Sequence, residues 1–134
     1  MDEEVAFSQK AELLINAFEN ITGTEVRDCV NSELLYFLVA PGKAAIAIGK
    51  GGEHVQTAEK MLKKQIKVLE WHEDAREFVK NLIPQADKIQ INGEAAVVQV
   101  GKNKGAVIGR GGENIKVLNE FLQRNSQIKE IKVI

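Results

Sequence analysis

Apolar residues recur with the spacing of a single helix face in two stretches of the chain. These residues are Phe7, Ala11, Leu14, Ile15 and Phe18 in the first stretch, and Ala75, Phe78, Val79 and Leu82 in the second. Pro84 follows the second stretch, and proline cannot continue a helix because it lacks the backbone N–H group. The pattern predicts an amphipathic helix near the start of each half of the chain.

A β-hairpin is predicted after each of these helices, because runs rich in valine, leucine and aromatic residues flank residues that favour turns. The predicted strands are 24–30 with 33–40, and 88–91 with 95–100. Asn31-Ser32 lies between the first two strands and Asn92-Gly93 between the second two. The Asn-Gly pair is a strong hairpin signal, since both residues accept a positive φ.

The segment Ile48–Val55 recurs 60 residues later as Ile108–Ile115. Five of the eight positions are identical, and the other three keep a cation, a polar group and a β-branched apolar residue. A repeat of this quality indicates a duplicated structural unit. In both copies the glycine segment lies between two predicted helices, and a strand closes the unit. The predicted ranges are 43–48, 53–63 and 66–71 in the first copy, and 104–108, 113–124 and 128–133 in the second.

The predicted order of elements is therefore α-β-β-α-α-β, twice. This order indicates an α+β fold of two units, each with a three-stranded sheet packed against helices. The units are predicted at residues 1–71 and 72–134. Because no stretch rich in glycine, proline or serine separates them, we expect rigid docking, with Trp71 as an anchor in the junction.

Composition limits the classes of function. The chain has no run of eighteen apolar residues, and its first residues are acidic, whereas a secretory signal begins with basic ones, so we expect a cytoplasmic protein. Cys29 is the only cysteine, and His54 and His72 lack the spacing of zinc ligands, so neither a disulfide within the chain nor a metal or other cofactor is expected. His54 also has no serine or cysteine nucleophile near it in sequence, which argues against an enzyme.

Charge is distributed unevenly, although the net charge is only -1. Residues 42–67 contain six lysines and two glutamates, and residues 102–116 contain four cations and one glutamate. Acidic residues dominate the start and the middle of the chain. Both copies of the glycine segment thus lie in basic surroundings, which suit a polyanionic ligand.

The glycine segments themselves suggest phosphate contacts. Missing side chains let a polynucleotide backbone approach the main chain, and the helix that follows is expected to offer unpaired N–H groups and the positive end of its dipole. Lys50 and Arg110 add a cation to each segment. Neither copy has the glycine spacing of a P-loop or of a dinucleotide fingerprint, so binding of ATP, GTP or NAD of those kinds is excluded.

The candidate binding residues form two groups. The stronger group comprises the two loops and the apolar residues that bracket them: Ile48, Gly49, Lys50, Gly51, Gly52, Val55, Ile108, Gly109, Arg110, Gly111, Gly112 and Ile115. The weaker group comprises Lys43, His54, Lys102, Lys104, Asn114 and Lys116. Tyr36 and Phe37 are expected in the core, and the lysines at 60, 63, 64 and 67 on a solvent-facing surface.

The pattern Ile-Gly-x-x-Gly-x-x-Val/Ile between two helices resembles the signature of the KH domain, and both copies match it. A helix and a hairpin ahead of the loop resemble the prokaryotic, or type II, form of that fold. The resemblance implies that Gly49–Gly52 and Gly109–Gly112 clamp single-stranded RNA, since a KH loop holds about four nucleotides of backbone.

Two such units in sequence are similar to the KH pair of the NusA transcription factors, most closely in the short archaeal form. That resemblance implies a factor in transcription termination or antitermination, with single-stranded RNA and RNA polymerase or other transcription proteins as partners, and no membrane or small-molecule substrate. The residues leave two alternatives open. One is a scaffold that docks on polymerase or the ribosome, and the other is an accessory of ribosome assembly or RNA decay.

Overall fold

The computed structural model describes residues 3–134, with side chains from residue 10 onward, and it divides the chain into two compact units between Glu70 and Trp71. The first unit consists of α1 (Glu3–Thr22), β1 (Val26–Asn31), β2 (Leu35–Val39), α2 (Ala44–Ile48), α3 (Glu53–Leu62) and β3 (Ile66–Glu70). The second consists of α4 (Ala75–Leu82), β4 (Lys88–Asn92), β5 (Ala95–Gln99), α5 (Lys104–Ile108), α6 (Glu113–Asn125) and β6 (Glu130–Val133).

Both units contain a three-stranded sheet of the same topology. The orders are β1-β2-β3 and β4-β5-β6. The hairpin strands pair antiparallel, and the last strand of each unit pairs parallel with the middle one. A parallel neighbour requires a crossover connection, which here consists of two helices and the glycine loop between them. The predicted α+β class with three-stranded sheets against helices is confirmed.

The core of the first unit joins α1, the sheet and the two helices of the crossover. Phe18 from α1 stacks on Phe37 from β2, with ring centroids 4.1 Å apart and ring planes 7° apart. Ala47 in α2 and Ala58 in α3 are completely buried in the same cluster. Small residues at these two positions allow the crossover helices to approach the sheet closely. Tyr36 and Phe37 are both buried, as expected.

The core of the second unit uses the equivalent elements. Phe78 of α4 and Phe121 of α6 are completely buried, and Val107 of α5 is almost so. Helix α4 begins at its N-cap Asp74, whose carboxylate accepts a hydrogen bond from the Glu77 N–H at 3.0 Å. It ends at Leu82, two residues before Pro84, as the sequence pattern predicts.

Several local features differ from the predicted pattern, and β2 and β6 each begin two residues later than predicted, at Leu35 and Glu130. Strand β1 begins at Val26 instead of Thr24, because the Thr22 hydroxyl accepts from the Thr24 N–H and the Glu19 carboxylate from the Val26 N–H. A short 3₁₀ turn, Gly101–Asn103, precedes α5 and was not predicted. The predicted bounds of the units, 1–71 and 72–134, stay predictions.

Trp71 is the first residue of the second unit. Its indole Nε1 donates a hydrogen bond to the Asn125 carbonyl at the end of α6, at 2.8 Å. This bond connects Trp71 to its own unit. The role of Trp71 as an anchor at the junction, and the rigid docking of the units, stay predictions. Phe7, the first residue of the predicted α1 face, lies outside the residues whose side chains the structure describes.

Within residues 3–134, no helix is long and apolar enough to cross a membrane. The same part of the chain contains no cluster of three or more histidine, cysteine, aspartate or glutamate residues that could hold a metal ion. Cys29 is buried, and as the only cysteine of the chain it cannot form a disulfide within it.

Replacing Phe37 with alanine should lower the free energy of unfolding of the first unit by about 3–5 kcal/mol, because a buried aromatic ring and its stacking partner contact are lost. Leu13→Ala is the matched control, since that side chain is 69% exposed and should change the free energy by less than about 0.5 kcal/mol. Urea unfolding followed by circular dichroism measures both. Equal losses for the two variants would contradict the assigned core.

Candidate nucleic-acid interface

The two glycine loops have nearly the same backbone conformation. Gly49 and Gly109 have φ/ψ of 82°/164° and 80°/171°. Gly51 and Gly111 have 63°/17° and 62°/18°, and Gly52 and Gly112 have 78°/16° and 79°/12°. All six residues have a positive φ, which residues other than glycine rarely adopt. Two separate segments of the chain therefore form the same corner between helices.

Space on the two sides of each loop differs sharply. A methyl group built on Gly49 would lie 2.8 Å from the His54 Cγ, and one on Gly109 would lie 2.8 Å from the Asn114 Cβ. A methyl group built on Gly51 or Gly111 would meet no heavy atom within 4 Å in the described chain. The first glycine of each loop is thus enclosed, whereas the third residue of the loop faces open space that a phosphate could approach.

Hydrogen bonds inside each loop use some of the N–H groups that the sequence assigned to phosphate. The Gly52 N–H donates to the Gly49 carbonyl at 3.0 Å, and the Gly112 N–H donates to the Gly109 carbonyl at 3.1 Å. The N–H groups of the next residues, Glu53 and Glu113, donate to the carbonyls of Lys50 and Arg110. The expectation of unpaired N–H groups at the start of the following helix is wrong for these four amides, because a tight 3₁₀ turn satisfies them.

The side chains of Lys50 and Arg110 are exposed, and neither side chain has a hydrogen-bond or ion-pair partner within the described part of the chain. Each loop therefore carries one uncompensated positive charge beside its open side. A cation in this position can meet a phosphate without first breaking a bond within the protein.

Apolar residues beside each loop are only partly buried. Ile48 is 38% exposed, and Val55, Ile108 and Ile115 are half-buried. The residues one position ahead of the two isoleucines, Ala47 and Val107, are buried and fix α2 and α5 to the core. The four bracketing residues can thus support their loop and still offer apolar surface to an unstacked base.

The weaker candidates divide into two classes. Lys43, Lys102, Lys104 and Lys116 are all exposed, so they are available to a ligand but carry no feature that marks a site. His54 and Asn114 are half-buried, and both side chains hydrogen-bond to backbone carbonyls of the preceding helix. From the sequence, we expected these two side chains to face either solvent or nucleic acid. In the structure they bond to the protein backbone instead.

One contact that positions the first loop was not predicted. The Glu70 carboxylate, at the end of β3, accepts a hydrogen bond from the Ala44 N–H at the start of α2, at 2.9 Å. Parallel pairing of β3 with β2 brings these two residues together. The only feature of the sequence that could have indicated this contact is the acidic residue at the end of the closing strand.

One of the lysines expected on the surface makes a contact within the protein. Lys64 donates a hydrogen bond to the Asn31 side-chain oxygen at 2.6 Å.

A family model described as KH domain matches residues 12–92, which include the whole crossover of the first unit and its glycine loop. The chain belongs to the KH-domain family. The KH match ends at Asn92, the last residue of β4, so it does not include the second glycine loop.

Curated relatives of this KH protein are archaeal proteins named probable transcription termination protein NusA. The one from Methanocaldococcus jannaschii is 36% identical over 90% of this chain and 70% of its own length. The one from Halococcus morrhuae is 32% identical over 96% of this chain and 98% of its own length. Among solved structures, the crystal structure of APE1850 has a TM-score of 0.75 at 29% identity and covers 94% of this chain and 99% of its own.

Substitutions in the loop should separate the two kinds of glycine. Gly49→Ala should destabilise the first unit by about 1–3 kcal/mol, because its backbone conformation is essentially restricted to glycine and the new methyl group overlaps His54. Gly51→Ala should cost only about 1 kcal/mol, because its left-handed conformation is strained but its surroundings are open.

Urea unfolding of both variants measures the difference. Gly109→Ala and Gly111→Ala repeat the comparison in the second unit, where Asn114 takes the place of His54. The assignment of the enclosed side of the loop would be wrong if the variants at Gly49 and Gly109 were as stable as those at Gly51 and Gly111.

Proposed function

We propose that this chain is a single-stranded RNA-binding protein that acts as a NusA-like factor in transcription termination or antitermination. The observation that carries the proposal is the repeated loop, since two corners with almost identical backbone angles each expose a cation and an open glycine. KH loops of this kind clamp about four nucleotides of backbone. The proposal assigns the protein a binding role and no catalytic one.

In the first clamp, Gly49–Gly52 would hold the sugar-phosphate chain. Open space beside Gly51 admits a phosphate close to the main chain, and the free ammonium group of Lys50 neutralises it. Ile48 and Val55 then offer apolar surface to the bases that follow. Lys43 is exposed and is a weaker candidate for an additional phosphate contact.

The second clamp rests on the structure of its own unit, because the KH match ends at residue 92. Support comes from the same element order, the same strand order and the same loop torsions as in the first unit. In this clamp the backbone would be held by Gly109–Gly112, the phosphate neutralised by Arg110, and the bases contacted by Ile108 and Ile115. We therefore propose two KH units, at residues 1–71 and 72–134.

Two clamps on one chain would bind a strand of about eight nucleotides, by the rule of four per clamp. Once one clamp holds the strand, binding by the other is intramolecular, so the joint affinity should exceed that of either clamp alone. The names of the archaeal relatives support a role in termination. RNA polymerase or other transcription proteins in the cytoplasm are the protein partners that this role implies.

A variant with aspartate at four loop positions should lose binding to single-stranded RNA and keep its circular dichroism spectrum. The four positions are Lys50, Gly51, Arg110 and Gly111. Four carboxylates would repel phosphate at the places of closest approach. The fold should tolerate them, because aspartate accepts a left-handed backbone better than most residues and a Cβ at Gly51 or Gly111 meets no neighbour within 4 Å.

The matched control has asparagine at the same four positions, which imposes the same backbone strain without the negative charge. It should retain part of the affinity. Fluorescence anisotropy with a labelled oligonucleotide of at least eight nucleotides measures all variants. Unchanged affinity of the aspartate variant would favour a scaffold that docks on polymerase or the ribosome.

Salt dependence tests the phosphate contacts one at a time. The logarithm of the binding constant should fall linearly with the logarithm of salt concentration, and Lys50→Gln or Arg110→Gln should each reduce the slope by about 0.7, the value for one phosphate on a single strand. Lys10→Gln is a control, because Lys10 is exposed on α1 and outside both clamps. A slope that neither loop variant changes would contradict the assigned contacts.

A further inference from the structure

Each glycine loop is followed, two residues on, by a polar side chain that turns back to the helix ahead of the loop. The His54 Nδ1 lies 2.9 Å from the carbonyl oxygen of Ile46 in α2. The Asn114 Nδ2 donates to the carbonyl oxygen of Val107 in α5 at 2.8 Å. In both units a side-chain hydrogen bond thus crosses the base of the loop and connects the helix that enters it to the helix that leaves it.

The same two residues enclose the first glycine of the loop. A Cβ on Gly49 would lie 2.8 Å from the His54 Cγ and 2.9 Å from its backbone nitrogen. A Cβ on Gly109 would lie 2.8 Å from the Asn114 Cβ and 2.9 Å from its backbone nitrogen. Glycine at these positions therefore makes room for the residue that crosses the loop base, whereas the open space at Gly51 and Gly111 is left for a ligand.

We propose that His54 and Asn114 are positioning residues that hold each loop in its binding conformation before RNA arrives. The inference rests on the proposed function, because it takes the loops to be RNA clamps. A segment with three glycines loses much conformational freedom when it is fixed, and ordering at the moment of binding would weaken affinity. A hydrogen bond across the loop base removes part of that cost in advance.

The two units meet the same requirement with different side chains. The imidazole of His54 reaches the carbonyl eight residues back, and the shorter amide of Asn114 reaches the one seven residues back. What both supply is an N–H donor at the start of the outgoing helix. Asparagine should therefore replace His54 successfully, by bonding to the Ala47 carbonyl, which is equivalent to that of Val107. An aliphatic side chain of similar size should not.

The hydrogen bond fixes the tautomer of His54. A neutral imidazole has one N–H, and a carbonyl can only accept, so the proton must be on Nδ1. The other histidine gives an internal control with the opposite assignment. The Asp74 N–H donates to the His72 Nδ1 at 2.9 Å, so Nδ1 of His72 is an acceptor and its proton must be on Nε2.

The first experiment needs no RNA. Long-range ¹H–¹⁵N NMR of the unbound wild-type protein in alkaline buffer distinguishes the two neutral tautomers of an imidazole. We expect the Nδ1–H form for one histidine and the Nε2–H form for the other, and His54→Asn should remove the Nδ1–H signals. An Nε2–H tautomer at His54 would overturn the proposal, because its Nδ1 could not donate to the Ile46 carbonyl.

The second experiment compares His54→Asn with His54→Leu in a protein whose second loop carries Arg110→Asp and Gly111→Asp, so that only the first clamp is measured. The asparagine variant should bind single-stranded RNA within about twofold of the parent. The leucine variant should bind about threefold to tenfold more weakly, the effect of one hydrogen bond. Its salt slope should be unchanged, because no phosphate contact is removed.

Backbone ¹⁵N relaxation of Gly51 and Gly52 completes the test. Both amides should become more mobile in His54→Leu without RNA and stay ordered in His54→Asn. Equal affinity and equal mobility of the two variants would overturn the proposal, and so would a salt slope reduced by about 0.7, which would make His54 a phosphate contact. If the wild-type protein binds no RNA, the proposed function fails, while the tautomer and the relaxation still decide whether the loop is held.

Discussion

Parallel pairing of the closing strand with the middle strand is the constraint on which both units depend. An antiparallel neighbour could be reached by a tight turn, but β3 beside β2, and β6 beside β5, require the chain to travel back along the sheet before it pairs. Two helices complete that return, and the corner between them must be short. Glycine at three of four loop positions forms the corner, so the feature with the clearest capacity for binding arises from the connection that the sheet requires.

Each loop has one side packed against the protein and one side open to solvent. Ala47 and Val107 hold the incoming helices against the cores, and His54 and Asn114 occupy the space beside the first glycines. Gly51 and Gly111 are left beside solvent, next to cations without a partner in the described chain. The cores and the loops are thus related, because burial of the helices determines which side of each corner a ligand can reach.

Much of this arrangement could be predicted from sequence. The apolar spacing of the two leading helices, the repeat at residues 48 and 108 and the Asn92-Gly93 turn predicted most of the element order and both loops, because each depends on residues close together in sequence. The hydrogen bonds of His54 and Glu70 could not be predicted, since they depend on where the turn and the parallel strand bring distant atoms. Thr24 was placed in a strand because β-propensity does not reveal that neighbouring side chains accept its amide hydrogen bonds.

Trp71 has a consequence for observing this molecule. It is the only tryptophan in the chain, and its indole N–H is bonded to the carbonyl of Asn125, the last residue of α6. The same helix begins at the second glycine loop, so intrinsic emission reports on the half of the protein that contains this loop. The first unit contains no tryptophan, so tryptophan emission has its source in the second unit alone.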